Sequence, residues 1–155
     1  KIQLKLNNVT NNAIISKLYE ASRAGVHIDM IVRGVCCLIP GVEGMSENIR
    51  VISIVDKFLE HPRIYIFEND GSPKMYISSA DWMTRNIDNR IEVACPILDE
   101  NLQKELLDTF MISWNDNVKA RLVNTVKKNA FVQNKGKSIR SQWATYDYFS
   151  AKLSQ

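Results

Sequence analysis

An α/β fold, a mixed β-sheet with helices on both faces, is what the residue pattern predicts. Three observations carry that expectation. The run Ile28-Asp29-Met30-Ile31-Val32 is too short for a typical helix and rich in β-branched residues, so it reads as a strand covered on both faces. A strand-like and then a helix-like stretch precede it, and strand–helix–strand order predicts a right-handed crossover with parallel pairing. Further on, two strand-like runs flank Asn69-Asp70-Gly71-Ser72-Pro73, a hairpin turn that adds an antiparallel pair.

Lys1-Ile2-Gln3-Leu4-Lys5-Leu6 alternates polar and apolar residues, the period of a half-buried or edge strand. Asn7, Asn8, Thr10, Asn11 and Asn12 supply turn and N-cap chemistry. Ile14, Leu18 and Ala21 share a helical face that Gly25 stops, with His27 an exposed turn residue before the strand that ends at Arg33. A loop with Pro40, Gly41 and Gly44 follows. From Ser46 to His61 the pattern is ambiguous. Ile49, Val51 and Ile54 could begin a strand, but Ile52, Val55, Phe58 and Leu59 read better as a helix face ending near Glu60, because Pro62 biases His61 away from helical geometry.

Arg63–Phe67 and Lys74–Ser78 are the strands of the hairpin. A polar loop over Asp81–Asn89 leads to a strand over Ile91–Cys95, closed by Pro96. Asp99 caps a helix with Leu102, Leu106, Phe110 and Trp114 on its core face. Two more helical stretches are expected, around Val118–Val126 and over Ser138–Leu153, where Ile139, Trp143, Tyr146 and Leu153 share a face. The link between them, Lys127-Lys128 through Lys135-Gly136-Lys137, is basic and reads as a solvated loop or an arm reaching toward a polyanion.

At 155 residues the chain is one domain, 1–155, with room for a real core. It opens at Lys1 inside a strand-like run without an initiator Met, which points to a piece of a longer polypeptide. A net charge of +3 is too small to argue for nucleic acid, yet it leaves room for a local basic patch facing phosphates. No apolar run is long enough for a spanning helix, so no transmembrane segment is expected. Cys36, Cys37 and Cys95 match neither a disulfide framework nor a zinc pattern, and are expected as buried free thiols in a reducing cytosol.

Walker loops, GxGxxG, GxSxG and HExxH are all missing. What remains is a scatter of arginines at strand ends and loops, Arg33, Arg50, Arg63, Arg85 and Arg90, with one histidine, His61, among them. Arginine suits phosphate because its planar fork makes paired charge-assisted bonds and never loses its charge. Arg33 stands out, delivered with Gly34 at the C-terminal end of a buried strand, where α/β sheets present ligand-binding groups. A buried guanidinium needs a phosphate or a carboxylate, and Asp29, Glu92 and Asp81 are the internal acids that could neutralise it. His61 has an ordinary alternative too, as a cation at a helix C-terminus.

Two long segments, IVRGVCCLIPGVEGMSENIRVISIVDKFLEHPRIYIFEN and YISSADWMTRNIDNRIEVACPI, closely resemble the C-terminal domain of the bacterial ATP:polyphosphate phosphotransferases, the larger polyphosphate kinase family. The resemblance runs from Gln3 to about Tyr148. It implies a phospholipase D-like domain. It also implies reversible transfer of the terminal phosphoryl group of ATP to inorganic polyphosphate, with Mg2+ and through a phosphohistidine in a preceding domain. ATP or ADP, polyphosphate, the remaining domains of the same chain and further copies in a homo-oligomer are the partners it implies. The location it implies is the cytoplasm or the periphery of the inner membrane. The family's phosphate-binding arginine falls on Arg33 of IVRG and its catalytic histidine on His61 of EHPR, both approaching the nucleotide's phosphates. Ser78, Ser79 and Arg85 fall on a segment similar to one that lines the site in phospholipase D enzymes. Those enzymes use His-x-Lys, whereas His61 is followed by Pro62-Arg63, which favours a supporting role for His61 over a second phosphorylated histidine. A phospholipase D-like phosphodiesterase or nuclease, and a non-catalytic polyanion-binding domain using the Lys127–Arg140 arm, are the alternatives.

Overall fold

The computed structural model describes residues 1–126, 129–133 and 136–154. Its elements are β1 (Ile2–Leu6), α1 (Asn12–Arg23), β2 (Ile28–Val32), β3 (Ile49–Ser53), β4 (Ile64–Phe67), β5 (Lys74–Ser78), α2 (Thr84–Asp88), β6 (Ala94–Ile97), α3 (Glu100–Trp114), β7 (Arg121–Val123) and α4 (Ser141–Leu153). Among the described residues the strands form one sheet in the order β6-β5-β4-β1-β2-β3-β7. β1, β2 and β3 run parallel and the remaining pairings are antiparallel, so the sheet is mixed as expected.

Both faces are covered. Leu4, Leu6, Ile28, Met30, Val32, Ile49, Val51 and Tyr65 pack with Ile15 and Leu18 of α1. Ile31, Ile52, Ile64, Ile66 and Met75 pack on the other face with Phe110 of α3. α1 begins where the Asn11 side chain accepts the Ile14 N–H, and the chain leaves it through Gly25 at φ +85°, a left-handed turn that suits glycine. Asp99 caps α3 by accepting from Asn101 and Leu102, and α4 lies against α3 through Tyr148–Asp108 (2.9 Å) and Lys152–Glu105 (2.7 Å).

Several expectations need correction. β1 is a central strand, and its polar alternation hides buried side chains: Gln3 donates to Met111 Sδ (3.4 Å), and Lys5 reaches Glu60 and Ser113. The helix expected over 46–61 is strand β3 followed by irregular chain. Its apolar residues alternate between the two cores, Ile49 and Val51 on one side and Ile52 and Ile54 on the other. A doubly buried strand has apolar residues at almost every position, and such a run also fits a helical period. The stretch 118–126 contains strand β7 instead of a helix, because Asp116 accepts the N–H groups of Val118, Lys119 and Ala120 and turns the chain toward β3.

β6 starts later than expected and includes Pro96, which an edge strand tolerates because the N–H it lacks is not needed for pairing. A short helix, α2, occupies part of the Asp81–Asn89 loop. Leu102 is exposed on α3, as are Trp143, Tyr146 and Leu153 on α4. The thiols are free, but Cys37 and Cys95 are exposed and only Cys36 is half-buried, where burial pushes its pKa up. His27 is exposed, as expected. Of the basic link, Lys127, Lys128 and Lys135 lie outside the described residues, and Arg140 at its end is bound to Asp56.

Candidate functional site

The carboxyl ends of β1, β2 and β3 point to one edge of the sheet, and β4 starts there. Residues that follow β1 and β2 and precede β4 therefore meet. Asn7 and Arg33 each stand directly after a strand end, and Leu6 pairs with Val32 in register, so the two are neighbours by construction. Arg33 donates from Nε to Asn7 Oδ1 at 2.9 Å. Gly34 makes this approach possible. A Cβ on it would lie 2.9 Å from the Asn7 carbonyl oxygen and 2.7 Å from Asn8 Oδ1, closer than real Cβ contacts allow.

The Asn7-Asn8 turn is itself held by Asp81, which is buried. Asp81 accepts the N–H of Asn7 (2.8 Å) and of Asn8 (3.1 Å) and the Asn8 amide (3.2 Å), and pairs with Arg63 (3.2 Å). Burial pushes its carboxyl pKa up, but the Arg63 guanidinium and these N–H donors together outweigh burial and hold it below the ordinary value. Asp81 is thus ionised and spent on architecture.

The other acids that could neutralise Arg33 are occupied as well. Asp29 pairs with Arg50 (2.7 Å), and Glu92 holds Ser79 and Asn86. Among the described residues no carboxylate oxygen lies within 4.0 Å of the Arg33 guanidinium. What faces it instead is His61. Arg33 Nη2 and His61 Nδ1 are 3.5 Å apart, a close approach rather than a strong hydrogen bond. With Arg33 half-exposed and His61 exposed, the pair opens to solvent. The expected convergence of Arg33 and His61 is therefore present in the geometry. His61 does not end a helix, so the helix-terminus explanation for it falls away.

The fit to an anion is electrostatic and geometric. A guanidinium anchored through Nε keeps its outer edge in a fixed plane, and among the described residues no acid within 4.0 Å cancels its charge. In the tautomer that suits the approach, His61 Nδ1 accepts from Arg33 and Nε2 carries a proton it can donate. Arg63, at the position of the lysine in His-x-Lys, is taken by Asp81 and by the His61 carbonyl (3.3 Å).

Ser78 sits beside this edge, its N–H on the Arg63 carbonyl (3.0 Å), but its hydroxyl bonds Val93 and that of Ser79 bonds Glu92. Arg85 is exposed on α2. Asn7, Asn8 and Asp81 escaped the sequence reading as supports of Arg33. The parallel register of β1 and β2 was the available signal, since it sets the residues after the two strands side by side.

A sequence profile described as "Polyphosphate kinase C-terminal domain 2" matches residues 1–142. The chain is 55% identical over 148 residues to a polyphosphate kinase of Vibrio parahaemolyticus, covering 95% of this chain and 21% of that protein. With the polyphosphate kinase of Escherichia coli K12 it is 52% identical over 97% of this chain and 22% of that one. The chain thus spans about a fifth of the length of these curated relatives. The crystal structure of the polyphosphate kinase from Porphyromonas gingivalis superimposes with a TM-score of 0.94 at 47% identity, over 97% of this chain and 23% of that one. Nuc from Salmonella typhimurium, a phospholipase D family member, superimposes with a TM-score of 0.60 at 15% identity over 80% of this chain and 82% of its own, a likeness of fold alone. The chain belongs to the polyphosphate kinase C-terminal domain 2 family.

Proposed function

We propose that this chain is the C-terminal domain of a longer polyphosphate kinase and supplies one wall of its active site. That enzyme reversibly moves the terminal phosphoryl group of ATP to inorganic polyphosphate, by way of a histidine on a preceding domain. Arg33 binds the transferring phosphoryl group and stabilises the charge its equatorial oxygens gain. His61 donates a hydrogen bond from Nε2 to the phosphoryl or leaving oxygen. When its ring is the imidazolium, with Nδ1 also protonated, it instead gives that oxygen the Nε2 proton and returns to neutral imidazole. Phosphoryl transfer asks a protein mainly for positioning and electrostatic stabilisation, and these two side chains offer both.

The observation that carries this proposal is the meeting of Arg33 with His61 at the carboxyl edge of the sheet, with no acid within 4.0 Å of the guanidinium among the described residues. Magnesium enters as the companion of the nucleotide's phosphates. Among the described residues no three His, Cys, Asp or Glu side chains group so as to hold a metal ion, and Asp81 and Glu60 are bound to Arg63 and Lys5. These residues do not fit a magnesium cage of their own.

Assembly into a homo-oligomer, and a place in the cytoplasm or on the inner membrane's periphery, belong to the same proposal. No helix among the described residues is long and apolar enough to cross a membrane. Against a phosphodiesterase reading, Arg63 stands in for the lysine and is consumed by Asp81. ATP-dependent polyphosphate synthesis by the full-length protein tests the proposal. Arg33→Ala and His61→Gln should each cripple it, and wild-type activity in both would overturn it.

A further inference from the structure

Between Ser53 at the end of β3 and Ile64 at the start of β4, no helix or strand fixes the backbone that carries His61. A side chain on such a loop holds a working geometry only where something else restrains the loop. The restraint comes from the start of α4. Arg140 pairs with Asp56 through two bonds, Nε to Oδ2 at 2.8 Å and Nη2 to Oδ1 at 2.7 Å. Gln142 grips Phe58 at both backbone groups: its Oε1 accepts the Phe58 N–H (3.0 Å) and its Nε2 donates to the Phe58 carbonyl (2.8 Å). The same Nε2 donates to Glu60 Oε1 at 2.9 Å.

Glu60, the residue directly before His61, gives its other oxygen to Lys5 Nζ at 2.5 Å, so it is held from α4 and from β1 at once. The reverse orientation of the Gln142 amide would set an oxygen against the Phe58 carbonyl and the Glu60 carboxylate, which fixes the assignment. Packing adds one ring contact to this tether, Phe58 edge-on to Trp143 of α4 with centroids 6.0 Å apart and Lys57 Nζ beside both rings. A cavity of about 390 Å³ lies beside it, lined by Lys5, Phe58, Glu60, Pro62, Gln142 and Phe149, and gives the loop space to shift.

We propose that Gln142 is a positioning residue for His61, setting its reach toward the phosphoryl group through Phe58 and Glu60 without touching substrate. This rests on the assignment of His61 to the site. In the full-length protein, Gln142→Ala should lower kcat for polyphosphate synthesis about 10- to 100-fold, the scale of an ångström-sized misplacement, with KM for ATP changed less than about threefold because Arg33 is undisturbed. Gln142→Glu keeps the side chain's size and its bond to the Phe58 N–H but sets a carboxylate against Glu60. It should melt within a few degrees of wild type and lose comparable turnover.

The separating measurement is the double variant. On a His61→Gln background, Gln142→Ala should cost less than about threefold more, because its effect travels through the missing imidazole. A full multiplicative loss there, or Gln142→Ala near wild-type rate while His61→Gln is slow, would overturn the positioning role and leave His61 in place. A His61→Gln enzyme as fast as wild type would remove both.

Discussion

Arg33 and His61 arrive at the same spot by opposite means. Arg33 follows a strand whose five residues are all buried, and its partner Asn7 follows the neighbouring strand in register. Backbone pairing, a glycine with no room for a Cβ and one buried acid, Asp81, fix it. His61 rides on irregular chain tied down by Arg140, Gln142 and Lys5, side chains from distant parts of the sequence. One half of the site is set by the sheet, and the other half is tethered. The lesson is that a cation can be placed by core packing while the imidazole beside it depends on a few polar bonds and a ring contact.

The largest effect should come from the tethered side. His61→Gln in the full-length protein should slow polyphosphate synthesis by roughly two to four orders of magnitude, the range for loss of a general acid or base. A normal rate would leave the tethers without a catalytic purpose. On the sheet side, Arg33→Ala should cost about 3–4 kcal/mol of transition-state stabilisation, by analogy with removing an oxyanion donor. Activity within about threefold of wild type would take Arg33 out of the site.

Gly34→Ala sharpens the contrast through stability. Its new Cβ meets the Asn7 carbonyl oxygen at 2.9 Å, backbone that cannot step aside, so thermal or denaturant unfolding should show a loss of roughly 1–3 kcal/mol. An unchanged melting temperature would mean that the Asn7–Arg33 approach is soft.

The most gradual effect is acid sensitivity, which both regions share. Asp81 anchors the Arg33 side. Asp116 anchors the start of α4 by accepting the Ser141 N–H at 2.7 Å. Burial pushes the Asp116 carboxyl up, but the N–H donors of Ser141, Lys119 and Ala120 outweigh it and hold the pKa below the ordinary 3.8. A depressed carboxyl pKa contributes stability that is complete above the unfolded value and drains as pH falls through the folded one. Melting temperature should therefore decline below about pH 4, and less steeply in Asp116→Asn, which starts lower at neutral pH. Parallel declines in the two proteins would contradict the role given to Asp116.

The same division explains what the residues disclosed before the fold was known. The run 28–32 is apolar but for Asp29, so its burial and the exit of Arg33 at its end were legible, as was the Asn69–Pro73 hairpin. The segment 46–61 was not, because a strand buried on both faces carries no alternation to distinguish it from a helix. Nor was β1's central place, since Gln3 and Lys5 looked solvent-facing until Met111, Glu60 and Ser113 supplied partners. His61 was singled out in sequence, but what holds it lies at 5, 140 and 142, separations that no local pattern encodes.

The most direct test of a shared site is the pair of substitutions Arg33→Ala and His61→Gln, alone and together, in the full-length protein, read as kcat/KM for polyphosphate synthesis from ATP. If both side chains act on one phosphoryl group, the combined loss should fall short of the product of the single losses by at least about tenfold. Losses that simply multiply would contradict it, placing the arginine and the histidine in separate duties.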